Sequence, residues 1–149
     1  ASVTKVVATT SAAMVLVDRG LLDLNWKVQD ILPDFTGSEK GLVTVKHLLT
    51  HSAGLPAWRR YYLGYKGKKE IQQQIYKENL EYTPGTLTMY SDLGMILMQN
   101  IIEVITQKPL NVFDQQELFQ PLGMKRTFYN PDKKYLPEIV PAFPLLYPA

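Results

Sequence analysis

Apolar residues recur at helical spacing along most of this chain, and that period predicts a largely helical protein. Val3, Val6, Val7, Met14 and Val17 fall on one face of a first helix predicted over residues 2–19. Gly20 supplies its stop, because glycine enters the left-handed region at no steric cost. Leu21, Leu22, Leu24, Val28, Ile31 and Leu32 form an apolar connector that ends at Pro33. Thr44 is placed to cap a short helix over residues 45–50, and a turn over 52–56 follows. Residues 58–69 mix aromatic, glycine and basic side chains and read as a long loop.

An amphipathic helix is predicted over residues 69–80, with the Pro84-Gly85 turn after it. Residues 93–106 are apolar almost all round, the signature of a helix at the centre of a core. Pro109 opens a further helix to about residue 119, since proline is tolerated in a first helical turn. Five prolines between Pro131 and Pro148 predict an extended, irregular end. Strand signals are short, with residues 42–45 and 127–129 the best of them. The pattern contains no internal repeat and no low-complexity segment.

The length, 149 residues, suits one domain, and 46% hydrophobic content suits a packed interior. A formal charge of +2 is too small for a nucleic-acid footprint. The absence of cysteine excludes disulfides, thiolate metal sites and a cysteine nucleophile, without fixing the compartment. The longest apolar run is broken by Gln99, Asn100 and Glu103, so no bilayer span is expected. No charged stretch followed by an apolar one opens the chain, so no signal peptide is read from it.

Two constellations bear chemistry. In Ser2-Val3-Thr4-Lys5 the first and last residues share a helix face, so the Lys5 ammonium can reach the Ser2 hydroxyl. The helix N-terminus favours developing negative charge, and with partial burial it should ease deprotonation of Lys5. In isolation the same tetrad is weak evidence and more often means an N-cap serine beside a solvated lysine. Tyr90-Ser91-Asp92 stands just before the central helix. A tyrosine there can relay protons if a cation lowers its pKa, and Asp92 can accept from Lys5. Otherwise Ser91 or Asp92 caps the helix and Tyr90 only packs.

Other candidates weigh less. His47 and His51 have the i, i+4 spacing of a zinc pair, but Leu48 stands where a metalloprotease helix needs Glu, and no third ligand is evident. The interleaved Trp58, Arg59, Arg60, Tyr61, Tyr62, Tyr65, Lys66, Lys68 and Lys69 have the makings of a stacking surface for single strands or a rim for an anionic substrate. A solvated, variable loop is the favoured reading of them.

Together, Ser2–Lys5, VKHLLTHSAGLP (residues 45–56), EYTPGTLTMYSDLGMIL (81–97) and PLGMKRTF (121–128) resemble the serine β-lactamase-related superfamily. The branch is that of class C β-lactamases, D-alanyl-D-alanine carboxypeptidases and related esterases. The resemblance runs from Ser2 to about Asn130. It implies Ser2 as the acylated nucleophile, Lys5 as its activating partner and Tyr90 as a second proton-transfer residue. Asp92 stands where the family usually has Asn, the substrate-contacting amide. No metal or organic cofactor is implied.

The family's third motif, a Lys- or His-containing triad ending in Gly, lies on a sheet strand that also supplies one oxyanion N–H. Neither that triad nor a strand long enough for it follows Asn130. The fold class expected is therefore mostly α: the helical region of the β-lactamase/penicillin-binding-protein α/β fold, with most of its antiparallel sheet missing. It forms one partial domain over 1–149, with a helical core to 130 and a Pro-rich irregular tail over 131–149.

The expected function is hydrolysis of an amide or ester (a β-lactam, a D-alanyl peptide or a small ester) through a Ser2 acyl-enzyme, with little activity from this length of chain alone. The expected partners are such a substrate and either another chain or the rest of the same polypeptide completing the sheet. No nucleic acid or membrane span is expected, and the family's setting is periplasmic or secreted. The rival reading is a catalytically silent binding or scaffold module derived from the same fold.

Overall fold

The computed structural model describes residues 2–139, and its first helix opens with a π-wound stretch. Lys5–Thr10 is π-helical and runs directly into α1, Ser11–Asp18. Gly20 follows at φ 68°, the left-handed stop predicted from the sequence. The face predicted to be buried is the open one: Val3, Val6 and Met14 are 73%, 66% and 65% exposed. Ala8, Ala12, Ala13 and Leu16 turn inward instead. The central helix α5, Asp92–Thr106, packs on this side, and small side chains there allow the two axes to come close.

Between these two helices lie α2, Val28–Ile31, and α3, Val45–Leu49. Thr44 caps α3 as predicted: its hydroxyl accepts from the His47 N–H at 3.3 Å, and His47 Nδ1 accepts from the Thr44 N–H at 3.2 Å. The predicted loop 58–69 contains a 3-10 turn over Tyr61–Leu63, and the helix after it, α4, covers Gly67–Lys77. It therefore starts and ends slightly earlier than the amphipathic pattern indicated. The final helix α6, Leu110–Asp114, continues π-wound over Gln115–Phe119.

Neither strand signal yields a strand among the described residues. Thr44 makes an isolated antiparallel bridge with Lys27, and residues 127–129 are irregular. A strand is stable only beside ladder partners, which these segments lack here. The end predicted as extended contains a 3-10 turn over Lys133–Glu138, and the rest of the predicted tail, residues 140–149, lies outside the described residues.

The core is continuous. Leu93, Leu97, Met98, Ile101 and Ile102 of α5 meet Leu16, Val28, Phe35, Val45, Leu48 and Phe113, all buried. Buried Lys40 donates to the Tyr76 carbonyl at 2.6 Å and the Thr36 carbonyl at 3.1 Å, so its charge faces the last turn of α4. A cavity of about 530 Å³ beside it, lined also by Asp34, Ser38, Gln73 and Lys77, shares no residue with the Ser2 region.

Two loops, 50–57 and 78–91, run against each other in front of α5. Gly54 sits at their closest approach, with φ +84° and its carbonyl accepting the Glu81 N–H at 2.7 Å. A Cβ on Gly54 would lie 2.3 Å from the Tyr82 carbonyl oxygen, a contact only backbone movement relieves. Gly54→Ala is expected to destabilise the fold by roughly 1–3 kcal/mol through its left-handed backbone alone, with the clash added. A lowered urea midpoint by far-UV circular dichroism checks this, and an unchanged midpoint would show that the loops separate freely.

Candidate active site

Ser2 and Lys5 stand one turn apart at the start of the first helix. The Lys5 N–H donates to the Ser2 carbonyl at 3.1 Å, and Lys5 Nζ lies 3.2 Å from Ser2 Oγ. The same Nζ is 2.7 Å from Asp92 Oδ1 and 5.1 Å from the centre of the Tyr90 ring. All four residues singled out in the sequence therefore meet around one ammonium. The Lys5 side chain is 18% exposed and that of Asp92 52%, so the cluster is open to water on the Asp92 side.

The second half of the site is placed by the cap of α5. Ser91 is the N-cap, its hydroxyl accepting the Gly94 N–H at 3.2 Å and donating to the Pro56 carbonyl at 2.7 Å. The Asp92 N–H donates to the Ala57 carbonyl at 2.8 Å. These bonds fix the backbone on both sides of the Ser91–Asp92 peptide, so Tyr90 leaves a rigid helix start rather than a free loop.

Charge within the cluster differs from the sequence expectation in one respect. Burial pulls the Lys5 ammonium toward neutrality, but its bonds to Asp92 and Tyr90 outweigh burial and raise its pKa. Deprotonation of Lys5 is thus harder than usual, not easier, because the facing Asp92 carboxylate and Tyr90 outweigh burial. The Tyr90 phenol moves the other way: the Ser2 hydroxyl first and Lys5 second draw its pKa below the ordinary tyrosine value. A persistent cation beside an acidified phenol can hold a phenolate, and a phenolate can take a proton from a neighbouring hydroxyl.

His51 also belongs to this region, a placement beside Tyr90 that the sequence does not show. Its ring centre is 4.6 Å from that of Tyr90, and its Nδ1 accepts the Ser91 N–H at 3.2 Å. The signal available was a histidine at the end of a helix next to a turn, which names no partner across the fold. In the fold the Nδ1 atoms of His47 and His51 accept N–H groups from different segments. Among the described residues no group of three metal-binding side chains comes together.

The aromatic and basic loop starts beside the site, since Ala57 binds Asp92. Arg59 pairs with Glu78 and Glu81, each at 3.4 Å, and Arg60 lies over the Trp58 ring at 5.7 Å.

A family model described as beta-lactamase matches residues 1–137. An N-acetylmuramyl-L-alanine amidase of Bacillus subtilis (strain 168) is 38% identical over 147 residues, which is 90% of this chain and 33% of that protein. The crystal structure of a beta-lactamase/D-alanine carboxypeptidase from Yersinia pestis, complexed with citrate, superposes with a TM-score of 0.79. That match covers 94% of this chain and 42% of the other at 22% identity, and is a likeness of fold. The D-amino acid amidase from Ochrobactrum anthropi SV3, complexed with L-phenylalanine amide, matches with a TM-score of 0.72 and 27% identity. It takes in 86% of this chain and 36% of that one. The chain spans about a third of the length of the curated relatives it matches.

Proposed function

The chain belongs to the beta-lactamase family, and on that premise we propose that it bears the nucleophile of a serine hydrolase acting on an amide or ester. Its described residues are mostly α, the helical region of that family's α/β fold without most of the antiparallel sheet. The observation that carries the proposal is the single ammonium of Lys5 shared by Ser2, Tyr90 and Asp92.

In this reading the Tyr90 phenolate takes the Ser2 proton, and the Lys5 cation holds the phenolate in place. Ser2 Oγ forms a bond to the substrate carbonyl carbon while the carbonyl π bond opens to an oxyanion. In this reading the Ser2 N–H, a donor at the helix start, stabilises that developing charge. The oxyanion collapses, and the amine or alcohol leaves with the proton returned from Tyr90. Water then attacks the acyl-Ser2 ester and releases the acid. The names of the relatives, an amidase of muramyl-L-alanine and an amidase of D-amino acids, favour an amide next to an amino-acid centre. We place the reaction at the bacterial cell wall, in a periplasmic or secreted setting. Among the described residues no helix is long and apolar enough to cross a membrane.

Intact mass after exposure to a fluorophosphonate, and separately to a penicillin, tests the proposal. Addition of one acyl or phosphonyl group on Ser2 supports it, and an unlabelled full-length protein overturns it.

Asp92 favours the rival reading, a silent binding module, because its carboxylate occupies Lys5 where the family has an amide. Asp92→Asn separates the two. Removing the carboxylate lets burial weigh more on Lys5 and takes away a group that raises the Tyr90 pKa. The acid limb of acylation is expected to move to lower pH, with labelling at neutral pH several-fold faster. That gain stays within the roughly 100-fold a single proton-transfer contact supplies at its low end. Labelling absent before and after the substitution favours the silent module.

A further inference from the structure

His51 touches three consecutive residues at the site, Met89, Tyr90 and Ser91. Its carbonyl accepts the Met89 N–H at 2.8 Å, its ring lies 4.6 Å from the Tyr90 ring, and its Nδ1 accepts the Ser91 N–H at 3.2 Å. It does this from a left-handed backbone, φ 55°, which a residue with a side chain adopts only when its surroundings demand it. The Tyr82 hydroxyl donates to the same carbonyl at 3.3 Å. A residue needed only for the turn would be served by glycine or asparagine, and neither brings a ring to Tyr90.

We infer that His51 is a positioning residue that aims the Tyr90 phenol at Ser2 and Lys5, and that it does so only as a neutral ring. The inference rests on the reading of Tyr90 as the proton acceptor. A protonated imidazole carries hydrogen on both nitrogens, so Nδ1 would turn from acceptor to donor and oppose the Ser91 N–H. The groups facing the ring bias it toward neutrality. Burial first, then the Lys5 ammonium, hold the His51 pKa below the usual histidine value against the pull of the Asp92 carboxylate. Tyr90 and the Ser91 amide complete its surroundings. The sign follows: the Tyr90 placement is intact above the lowered His51 pKa and is lost as pH falls through it.

The test follows Tyr90 by NMR in the 149-residue chain with isotope-labelled tyrosine Cζ, the signal assigned by its disappearance in Tyr90→Phe. Two variants divide the roles of His51. His51→Phe keeps a flat ring but has no acceptor, whereas His51→Asn puts an amide oxygen at the place of Nδ1 and tolerates the left-handed backbone. The Tyr90 titration is expected to move up toward the ordinary tyrosine value in His51→Phe and by less in His51→Asn. Equal titrations in all three proteins, or equal shifts in both variants, would overturn the inference.

Should His51→Phe fail to fold, the unmodified chain still decides. Lowering the pH should move the His51 ring, the Ser91 amide and the Tyr90 Cζ signals with one midpoint, and a His51 transition unseen by the other two refutes the inference. None of these readouts involves acylation. Loss of labelling in Ser2→Ala and Tyr90→Phe tests the hydrolase reading separately.

Discussion

Ser2→Ala is expected to abolish acyl-enzyme formation, with covalent labelling by a fluorophosphonate or a penicillin falling to background. Removal of a serine nucleophile elsewhere has cost on the order of a million-fold in turnover, because the remaining groups have no atom left to activate. Stability should hardly change. Ser2 is exposed, and its hydroxyl bonds only the open Lys5–Tyr90 cluster, so the loss should stay within about 0.5 kcal/mol. Intact mass and a urea titration of both proteins give the two halves of the result. Labelling that persists in Ser2→Ala would place the nucleophile elsewhere.

The second large effect concerns what the 149 residues do alone. Turnover of an ester or of nitrocefin by this chain is expected to be roughly 100- to 1,000-fold below that of a chain extended to the length of its relatives. That range is the cost of one missing oxyanion donor where it has been measured. The resemblance assigns the second donor to a sheet strand, and no strand occurs among the described residues. Val3, Val6 and Met14 point the same way, since an apolar stripe this exposed invites association. Sedimentation should show self-association of the shorter chain and a single species for the extended one. Equal turnover from a monodisperse 149-residue chain would mean that the sheet is unnecessary and that the account of the site is wrong.

The sequence made some of this legible because local rules decide it. Thr44 before an apolar run predicts a cap, and the cap forms. Residues 93–106 are apolar almost all round, and α5 lies at the centre. The motifs around Ser2, Lys5, Tyr90 and Asp92 indicated residues that would converge, and they do converge on one ammonium.

What failed depends on distant partners. The first helix is apolar on two sides, so periodicity alone could not say whether its valine face or its alanine face meets α5. The Lys5 charge state turned on Asp92, which lies 87 residues further along the chain (92 minus 5) and only 2.7 Å away in space. The sequence did not place His51 beside Tyr90 because its contacts depend on a left-handed backbone and on residues 89–91, neither of which leaves a periodic trace.

The π winding over Lys5–Thr10 has a consequence for how this site can change over generations. Each residue of an α-helix advances the side-chain direction by about 100°, whereas an i→i+5 stretch accommodates an extra residue within the same turn. The angular phase between the Ser2–Lys5 pair and the anchoring Ala12 and Leu16 is therefore stored in a backbone count, not in any side chain. Point substitutions along residues 5–10 leave that count alone. A one-residue deletion would rewind the segment toward α and swing the serine and lysine away from Tyr90 while every motif residue remained in the sequence. Drift by substitution and drift by insertion or deletion thus meet very different resistance here, and a lineage could lose the reaction without losing one recognisable letter of it.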